Sequence, residues 1–213
     1  MVYDIAYFLL RWISKVFLSL QVIGRENVPK SGPVIFASNH VSYLDPILVA
    51  VSLTRRLNFL AKEEIFKSLL VSWLMKKLQA FPVSRERVGS STLRNALQLL
   101  IKGKGLLLFP EGTRGDGKSF LKAKNGIGII AGRSGAVIIP TYLRGPEKVL
   151  PRRSRWVHLH PVTVFFGLPL IPNSSSFASE TTKKKGYGEV ADQVMEQIEN
   201  LKLQIEQSPE VVV

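Results

Sequence analysis

Two short stretches hold side chains able to do chemistry. The first is SNHVSYLDP, residues 38–46, which sets His40 and Asp45 five residues apart just after the apolar run Val34–Ile35–Phe36–Ala37. A neutral imidazole, ordinarily titrating at about 6.5, can accept a proton near neutral pH. An aspartate bonded to its other ring nitrogen fixes the tautomer and steadies the imidazolium formed during reaction. Five residues is the wrong spacing for neighbours on one helical face; it suits a strand–turn–helix junction. Asp45 followed by Pro46 also reads as a helix start, with aspartate at the N-cap and proline at the first helical position. The pair is a base and its orienter, a helix cap, or both at once.

The second stretch is FPEGTRGDGK, residues 109–118. Gly112, Gly115 and Gly117 let backbone amides approach a ligand closely, and Arg114 supplies a two-pronged donor suited to phosphate. A tight basic turn would have the same composition. It is not a P-loop, since G-x-x-x-x-G-K-[ST] is absent from the chain. Further cations stand near predicted loop ends: Arg85 and Arg87 after FPVS, Lys122 and Lys124 before a helix. Ser38, Ser42 or Ser134 would be the rival nucleophile, but the G-x-S-x-G elbow is missing. The pattern favours a histidine that activates a substrate hydroxyl, with no nucleophile from the protein. His158 and His160 alternate along a predicted strand without carboxylate company and read as structural or surface residues. The chain has no cysteine, which excludes disulfides and thiolate chemistry. No metal ligand set is visible, so no metal and no cofactor are expected.

The elements that must position these loops alternate. Strands are predicted at 34–37, 57–61, 81–85, 106–110 and 136–143, with one or two more in 156–167. Helices are predicted from Asp45, over 63–79, 91–102, 124–133 and 188–207. This order predicts an α/β fold whose mixed, largely parallel sheet is flanked by helices. Ligands bind such folds beyond the carboxyl ends of the strands, where both loops fall. Helices over 46–53 and 65–75 are apolar enough to line an acyl groove or simply to pack the core.

With 213 residues, 46% of them hydrophobic and 21% charged, the chain suits one domain with a real core. Its formal charge of +13 is unevenly spread: residues 186–213 carry a net −5, leaving +18 on the 185 residues before them. So basic a body expects an anionic partner, whether nucleic acid, anionic lipid or an acidic carrier protein. Nucleic acid is the least favoured, because no helix-turn-helix or RNA-binding signature accompanies the charge. No apolar run of about 18 residues predicts a membrane-spanning helix. Residues 1–20 do not read as a signal peptide either, as Asp4, Arg11 and Lys15 interrupt the apolar stretch. Ile5, Phe8, Leu9, Trp12, Ile13, Val16, Phe17 and Leu20 instead recur at helical spacing. They predict an amphipathic helix that lies in a membrane interface or packs on the domain. The expected organisation is this helix at 1–20, a catalytic domain at 21–207 and a disordered tail at 208–213.

NHVSYLD and FPEGTR, in this order and on this α/β pattern, resemble the N-H-x-x-x-x-D and F-P-E-G-T-R motifs of the glycerolipid acyltransferases. The resemblance extends through KEEIF, FPVSRER, IIPTYLRG and FGLPL, over about residues 20–171. The branch it resembles most is the 1-acylglycerol-3-phosphate acyltransferases. It implies direct acyl transfer from acyl-carrier protein or acyl-CoA to the sn-2 hydroxyl of lysophosphatidic acid, giving phosphatidic acid; the alternatives are another acceptor, such as glycerol 3-phosphate or a different lysolipid, or a non-catalytic membrane lipid-binding module. His40 would be the base and Asp45 its orienter. Arg114 with the Gly112–Thr113 backbone would hold the acceptor phosphate, helped by Arg85 and Lys124, while Glu111 would organise the loop or touch the glycerol. Pro140 would shape the fourth motif. A peripheral or monotopic place on a membrane is implied, on the cytoplasmic face of a bacterial inner membrane. The chain departs from the pattern at Gln79, where many members have glycine, and at Ala123–Lys124–Asn125–Gly126, where many have Phe-Lys-x-Gly.

Overall fold

The computed structural model describes residues 2–62, 66–67, 69–83, 90–152, 154, 156–172 and 180–207. Its strands are β1 (Gln21–Ile23), β2 (Val34–Ser38), β3 (Leu57–Lys62), β4 (Ala80–Val83), β5 (Gly105–Leu108), β6 (Val137–Arg144) and β7 (Thr163–Phe166). The helices are α1 (Val2–Phe17), α2 (Asp45–Ser52), α3 (Leu69–Lys77), α4 (Ser90–Ile101), α5 (Gly126–Ser134), α6 (Pro146–Val149) and α7 (Glu180–Gln207). The strands join in the order β1-β7-β6-β2-β5-β3-β4. Only the β6–β7 pairing is antiparallel; every other neighbour runs parallel. The expected α/β sheet is therefore present, with its antiparallel step toward one edge.

Strand β2 lies between β5 and β6, and all five of its residues are buried. Its alternation divides the core in two. Val34 and Phe36 face the layer of α2, where they join Leu48, Val49 and Leu53. Ile35 and Ala37 face Ala96 and Leu100 of α4, Ile127 and Ile130 of α5, and Val194 and Ile198 of α7. Burying side chains such as Phe36 or Ile35 contributes about 1.5–3 kcal/mol each. Both faces thus anchor the strand that carries His40 at its tip.

Several boundaries differ from the sequence reading. Strand β1 was not expected: three residues give no readable period, and β1 exists because it pairs with β7. Helix α7 starts at Glu180, eight residues before the expected 188. Within the predicted helix 63–79, the described α-helix is Leu69–Lys77, while 63–65 and 68 lie outside the described residues. His158 and His160 do not sit on a strand; they belong to the connection before β7. The tail at 208–213 lies outside the described residues.

Among the described residues no helix is long and apolar enough to cross a membrane. Helix α1 packs on α2 through its less apolar side. The Tyr7 hydroxyl donates to the Leu53 carbonyl at 2.6 Å, Arg11 reaches the Tyr7 oxygen at 2.7 Å, and Ser14 is buried. Ile5, Phe8, Leu9, Trp12, Val16 and Phe17 are left exposed, Phe8 to 68% and Trp12 to 59%. The helix packs on the domain, as one of its two readings expects, and presents its apolar face outward.

Gln79, the departure from glycine noted above, adopts φ +66° between α3 and β4. Its N–H donates to Lys76 O and its carbonyl receives Phe59 N–H, so this left-handed turn delivers β4 to β3. A side chain there costs about 1–2 kcal/mol of backbone strain that glycine avoids. Gln79→Gly is expected to stabilise the protein by about 1 kcal/mol in urea unfolding; a loss of stability would show that the turn is not strained.

Candidate active site

The site grows from the ends of β2 and β5, which are neighbours in the sheet. Beyond β2, Asn39 continues the strand with its side chain. Its Nδ2 donates to Leu143 O at 3.1 Å and its Oδ1 accepts Leu143 N–H at 2.8 Å, clamping the turn to β6. His40 comes next. Its Nδ1 lies 2.8 Å from Asp45 Oδ2, and the imidazole stacks on Phe109 with centroids 3.9 Å apart and planes 17° apart. Because ionised Asp45 only accepts hydrogen bonds, Nδ1 carries the proton and Nε2 keeps a lone pair.

Asp45 does not cap the helix. Leu44 holds the cap position without a side-chain bond, and Asp45 opens the first turn of α2. Its Oδ2 turns back to accept the amides of Val41 at 2.7 Å and Ser42 at 2.8 Å besides His40. Pro46 follows it without an N–H to offer. The Asp45 side chain is fully shielded from solvent while His40 keeps 19% of its own exposed, so the carboxylate is buried and the imidazole is reachable. Burial pushes the Asp45 carboxyl above its ordinary value, and the bonds from His40, Ser42 and Val41 pull against that rise.

Glu111 joins the two loops. Its Oε1 accepts the His40 amide at 3.1 Å and its Oε2 accepts the Leu121 amide at 2.9 Å. The His40 carbonyl in turn accepts Gly115 N–H at 2.7 Å. Both backbone groups of His40 are therefore held by residues of the 109–121 loop. Burial raises the Glu111 carboxyl as well, opposed by the amides of Leu121 and His40. With each oxygen on a backbone amide, Glu111 ties the second loop to the His40 turn.

The cations gather on the same loops. Gly112 takes φ +69°, and a Cβ there would lie 2.8–2.9 Å from Cδ, Cε and Nζ of Lys124. The lysine side chain thus runs directly over the glycine, with its own amide tied to Pro110 O at 2.9 Å. Arg114 lays its guanidinium 3.5 Å above the Tyr43 ring. Its Nη1 is buried without a hydrogen-bond partner among the described residues. Thr113 lies half-buried between them. An arginine donor oriented by an aromatic face and left unsatisfied suits a phosphate oxygen.

His40, Asp45, Glu111, Gly112, Thr113, Arg114 and Lys124 therefore meet in one loop cluster. Arg85 lies outside the described residues. The candidate serines are occupied elsewhere. Ser38 donates to Asn39 O, Ser42 to Leu150 O and Ser134 to Ile130 O. His158 and His160 take no part in the cluster, and His160 Nδ1 faces Pro161 O. Asn39, Tyr43 and Phe109 sit inside the two motifs without having been assigned a task; only their contacts across the fold give them one. Among the described residues no three His, Asp or Glu side chains gather as a metal site. Ile47, Ala50 and Val51 of α2 line an apolar gap with Tyr7 and Leu10 of α1, but its volume of about 30 Å³ is far below that of an acyl chain.

A family model described as Acyltransferase matches residues 19–144. A 1-acyl-sn-glycerol-3-phosphate acyltransferase of Bacillus subtilis is 33% identical over 138 residues, covering 62% of this chain and 68% of its own. The chloroplastic 1-acyl-sn-glycerol-3-phosphate acyltransferase LPAT1 of Arabidopsis thaliana is 32% identical over 147 residues, or 68% of this chain. This chain spans only 41% of that protein and 50% of a Brassica napus counterpart. In three dimensions the crystal structure of the 1-acyl-sn-glycerophosphate acyltransferase PlsC from Thermotoga maritima superposes with a TM-score of 0.71. It is 28% identical, covering 94% of this chain and 78% of that one.

The Glu111 bridge sets an expectation. Glu111→Ala leaves the His40 and Leu121 amides without acceptors and should lower unfolding stability by about 3 kcal/mol, read from urea denaturation. An unchanged midpoint would mean that the bridge does not hold the loops together.

Proposed function

The chain belongs to the acyltransferase family, and from that premise we propose that it moves an acyl group from a thioester to the sn-2 hydroxyl of lysophosphatidic acid, forming phosphatidic acid. The donor is acyl-carrier protein or acyl-CoA. The observation that carries this reading is the buried Asp45 on His40 Nδ1, in a loop cluster that also holds Arg114 and Lys124. Arg114 and Lys124, with the Thr113 backbone, receive the acceptor's phosphate; the Gly112 amide expected to help is engaged by Phe109 O at 2.9 Å. Nε2 removes the proton of the acceptor hydroxyl as its oxygen attacks the thioester carbonyl. Asp45 accepts a hydrogen bond from the imidazolium that results. When the carbon–sulfur bond breaks, His40 returns the proton to the departing thiolate. A positioned base of this kind contributes about 10²–10⁴-fold, and holding both substrates together contributes the larger share. The serines' engagement with backbone carbonyls supports transfer without an acyl-enzyme.

The enzyme works as a peripheral protein on an anionic membrane, where its water-insoluble substrate resides. The outward apolar face of α1 supports this, because a helix that served only the domain would turn that face inward. The basic body adds attraction to anionic lipid. Removing residues 1–20 is a poor probe of the attachment, since it also strips Leu18 from the core and the Tyr7–Leu53 bond. Substitution of the exposed face avoids that loss.

Acyl transfer from acyl-CoA and from acyl-carrier protein to lysophosphatidic acid tests the chemistry. His40→Ala should lower kcat at least about 10²-fold in a folded protein, and Asp45→Asn should also reduce it by disturbing the tautomer. Robust activity in His40→Ala would remove His40 from the mechanism. Wild-type product with glycerol 3-phosphate but not with lysophosphatidic acid would reassign the acceptor. For the attachment, Phe8→Ser with Trp12→Ser is expected to release the protein from phosphatidylglycerol vesicles in a sedimentation assay; undiminished binding would exclude α1 as the anchor.

A further inference from the structure

We propose that residues 156–160, in the connection between α6 and β7, are a second point of insertion into an anionic lipid bilayer, beside the catalytic loops; Arg153 and Arg155 lie outside the described residues. This rests on the membrane reading of α1 and extends it to a different part of the chain. The sequence PRRSRWVHLHP holds three arginines, two histidines and no acid. Its apolar side chains point away from the protein: Trp156 is 80% exposed, Val157 61% and Leu159 72%, and none belongs to either core. Three large apolar residues within a run of four, left in water by a domain with ample core, form a patch to be covered.

The backbone beneath them is held in place. Trp156 N–H donates to Ser154 Oγ, whose hydroxyl donates to Trp156 O, both at 3.0 Å. His158 N–H donates to Val149 O at 2.8 Å, pinning the connection to α6. Its position is also defined at both ends. At one end Leu150 O accepts the Ser42 hydroxyl and Arg152 Nη1 reaches Arg114 O at 3.4 Å, so the segment abuts the catalytic turn and the arginine loop. At the other end Val162 N–H donates to Leu18 O at 2.9 Å, directly after α1, where Val16 and Phe17 are exposed. The connection is therefore tied by a backbone hydrogen bond to the end of α1.

The chemistry selects a bilayer over other occupants. Tryptophan with aliphatic neighbours suits the boundary between headgroups and acyl chains, and flanking arginines suit anionic headgroups. An acidic protein partner would match the arginines but would also have to cover Trp156, Val157 and Leu159 with an apolar face of its own. With α1 on one side and 156–160 on the other, the bilayer holds the molecule at two points, and an acceptor reaches Arg114 with its chain still in lipid.

The absence of cysteine gives a direct test. Val157→Cys carrying an environment-sensitive nitrobenzoxadiazole label is compared with the same label at Glu199→Cys, an exposed position on α7. Vesicles are phosphatidylcholine with phosphatidylglycerol, against phosphatidylcholine alone. The expected result is a blue-shifted, several-fold brighter signal at 157 on anionic vesicles, quenched by brominated acyl chains, with a water-like signal at 199. Replacing Trp156, Val157 and Leu159 together by serine is expected to weaken vesicle partition about tenfold. A water-like signal at 157 on vesicle-bound protein, or an unchanged partition, would overturn the second insertion and leave α1 as the anchor. A response at 157 to acyl-carrier protein but not to vesicles would also overturn it, assigning the surface to a protein. Absence of any vesicle binding by the unsubstituted chain would remove both membrane readings.

Discussion

A carboxylate removed from water organises the catalytic end of this molecule. One oxygen of Asp45 gathers the His40 ring N–H and the amides of Val41 and Ser42. Burying an anion is expensive unless donors replace the water it loses. Here they come from the five residues before it, so the compensation and the shape of the turn are the same thing. The chain can satisfy Asp45 only by folding back on itself at the end of β2, and that fold presents the far nitrogen of His40 to the outside. Glu111 repeats the arrangement one strand over, using the His40 and Leu121 amides to bind the second loop to the first. Two buried carboxylates hold His40 and the cationic loop in one frame, Glu111 through both oxygens and Asp45 through Oδ2, its Oδ1 having no partner among the described residues.

Such a frame needs a rigid support. Strand β2 supplies it because its residues are buried on both faces and it pairs on both edges. Asn39 carries the pairing one residue further by bonding both backbone groups of Leu143. The ring of Phe109 beneath the imidazole and that of Tyr43 beneath Arg114 then set the planes of the two functional side chains. Each is a residue of one loop supporting a residue of the other, so the loops orient one another.

The surface follows a different logic. Helix α1 buries Tyr7, Ser14 and part of Arg11 against the domain and exposes its phenylalanines and tryptophan. In water that orientation forgoes hydrophobic burial, and it becomes favourable where a lipid phase takes up the outer face. The connection before β7 shows the same preference on a smaller scale. Among the described residues the apolar side chains are thus divided between an interior packed in the usual way and an outer set that the domain itself does not cover.

What the sequence determined by itself was local. An apolar run marks β2 wherever it pairs, a helical period marks α1 whichever way it faces, and NHVSYLD and FPEGTR carry their donors and acceptors with them. Alternation of strands and helices was enough for the α/β class and for placing both loops at strand ends. The tertiary structure decided whatever depends on partners distant in the chain. Asp45 looked equally suited to capping α2, and its orientation followed from the competing amides of Val41 and Ser42. Glu111 found its partners 71 residues back and 10 residues on, beyond the reach of any motif spacing. Strand β1 is too short to carry a period and exists through its pairing with β7. Gln79 reads as an ordinary polar residue until the turn into β4 requires a positive φ of it. A periodic pattern establishes that a helix has two faces; which face meets the domain depends on the shape and hydrogen-bonding groups of the surface it packs against, and α2 offered α1 carbonyls as well as apolar side chains.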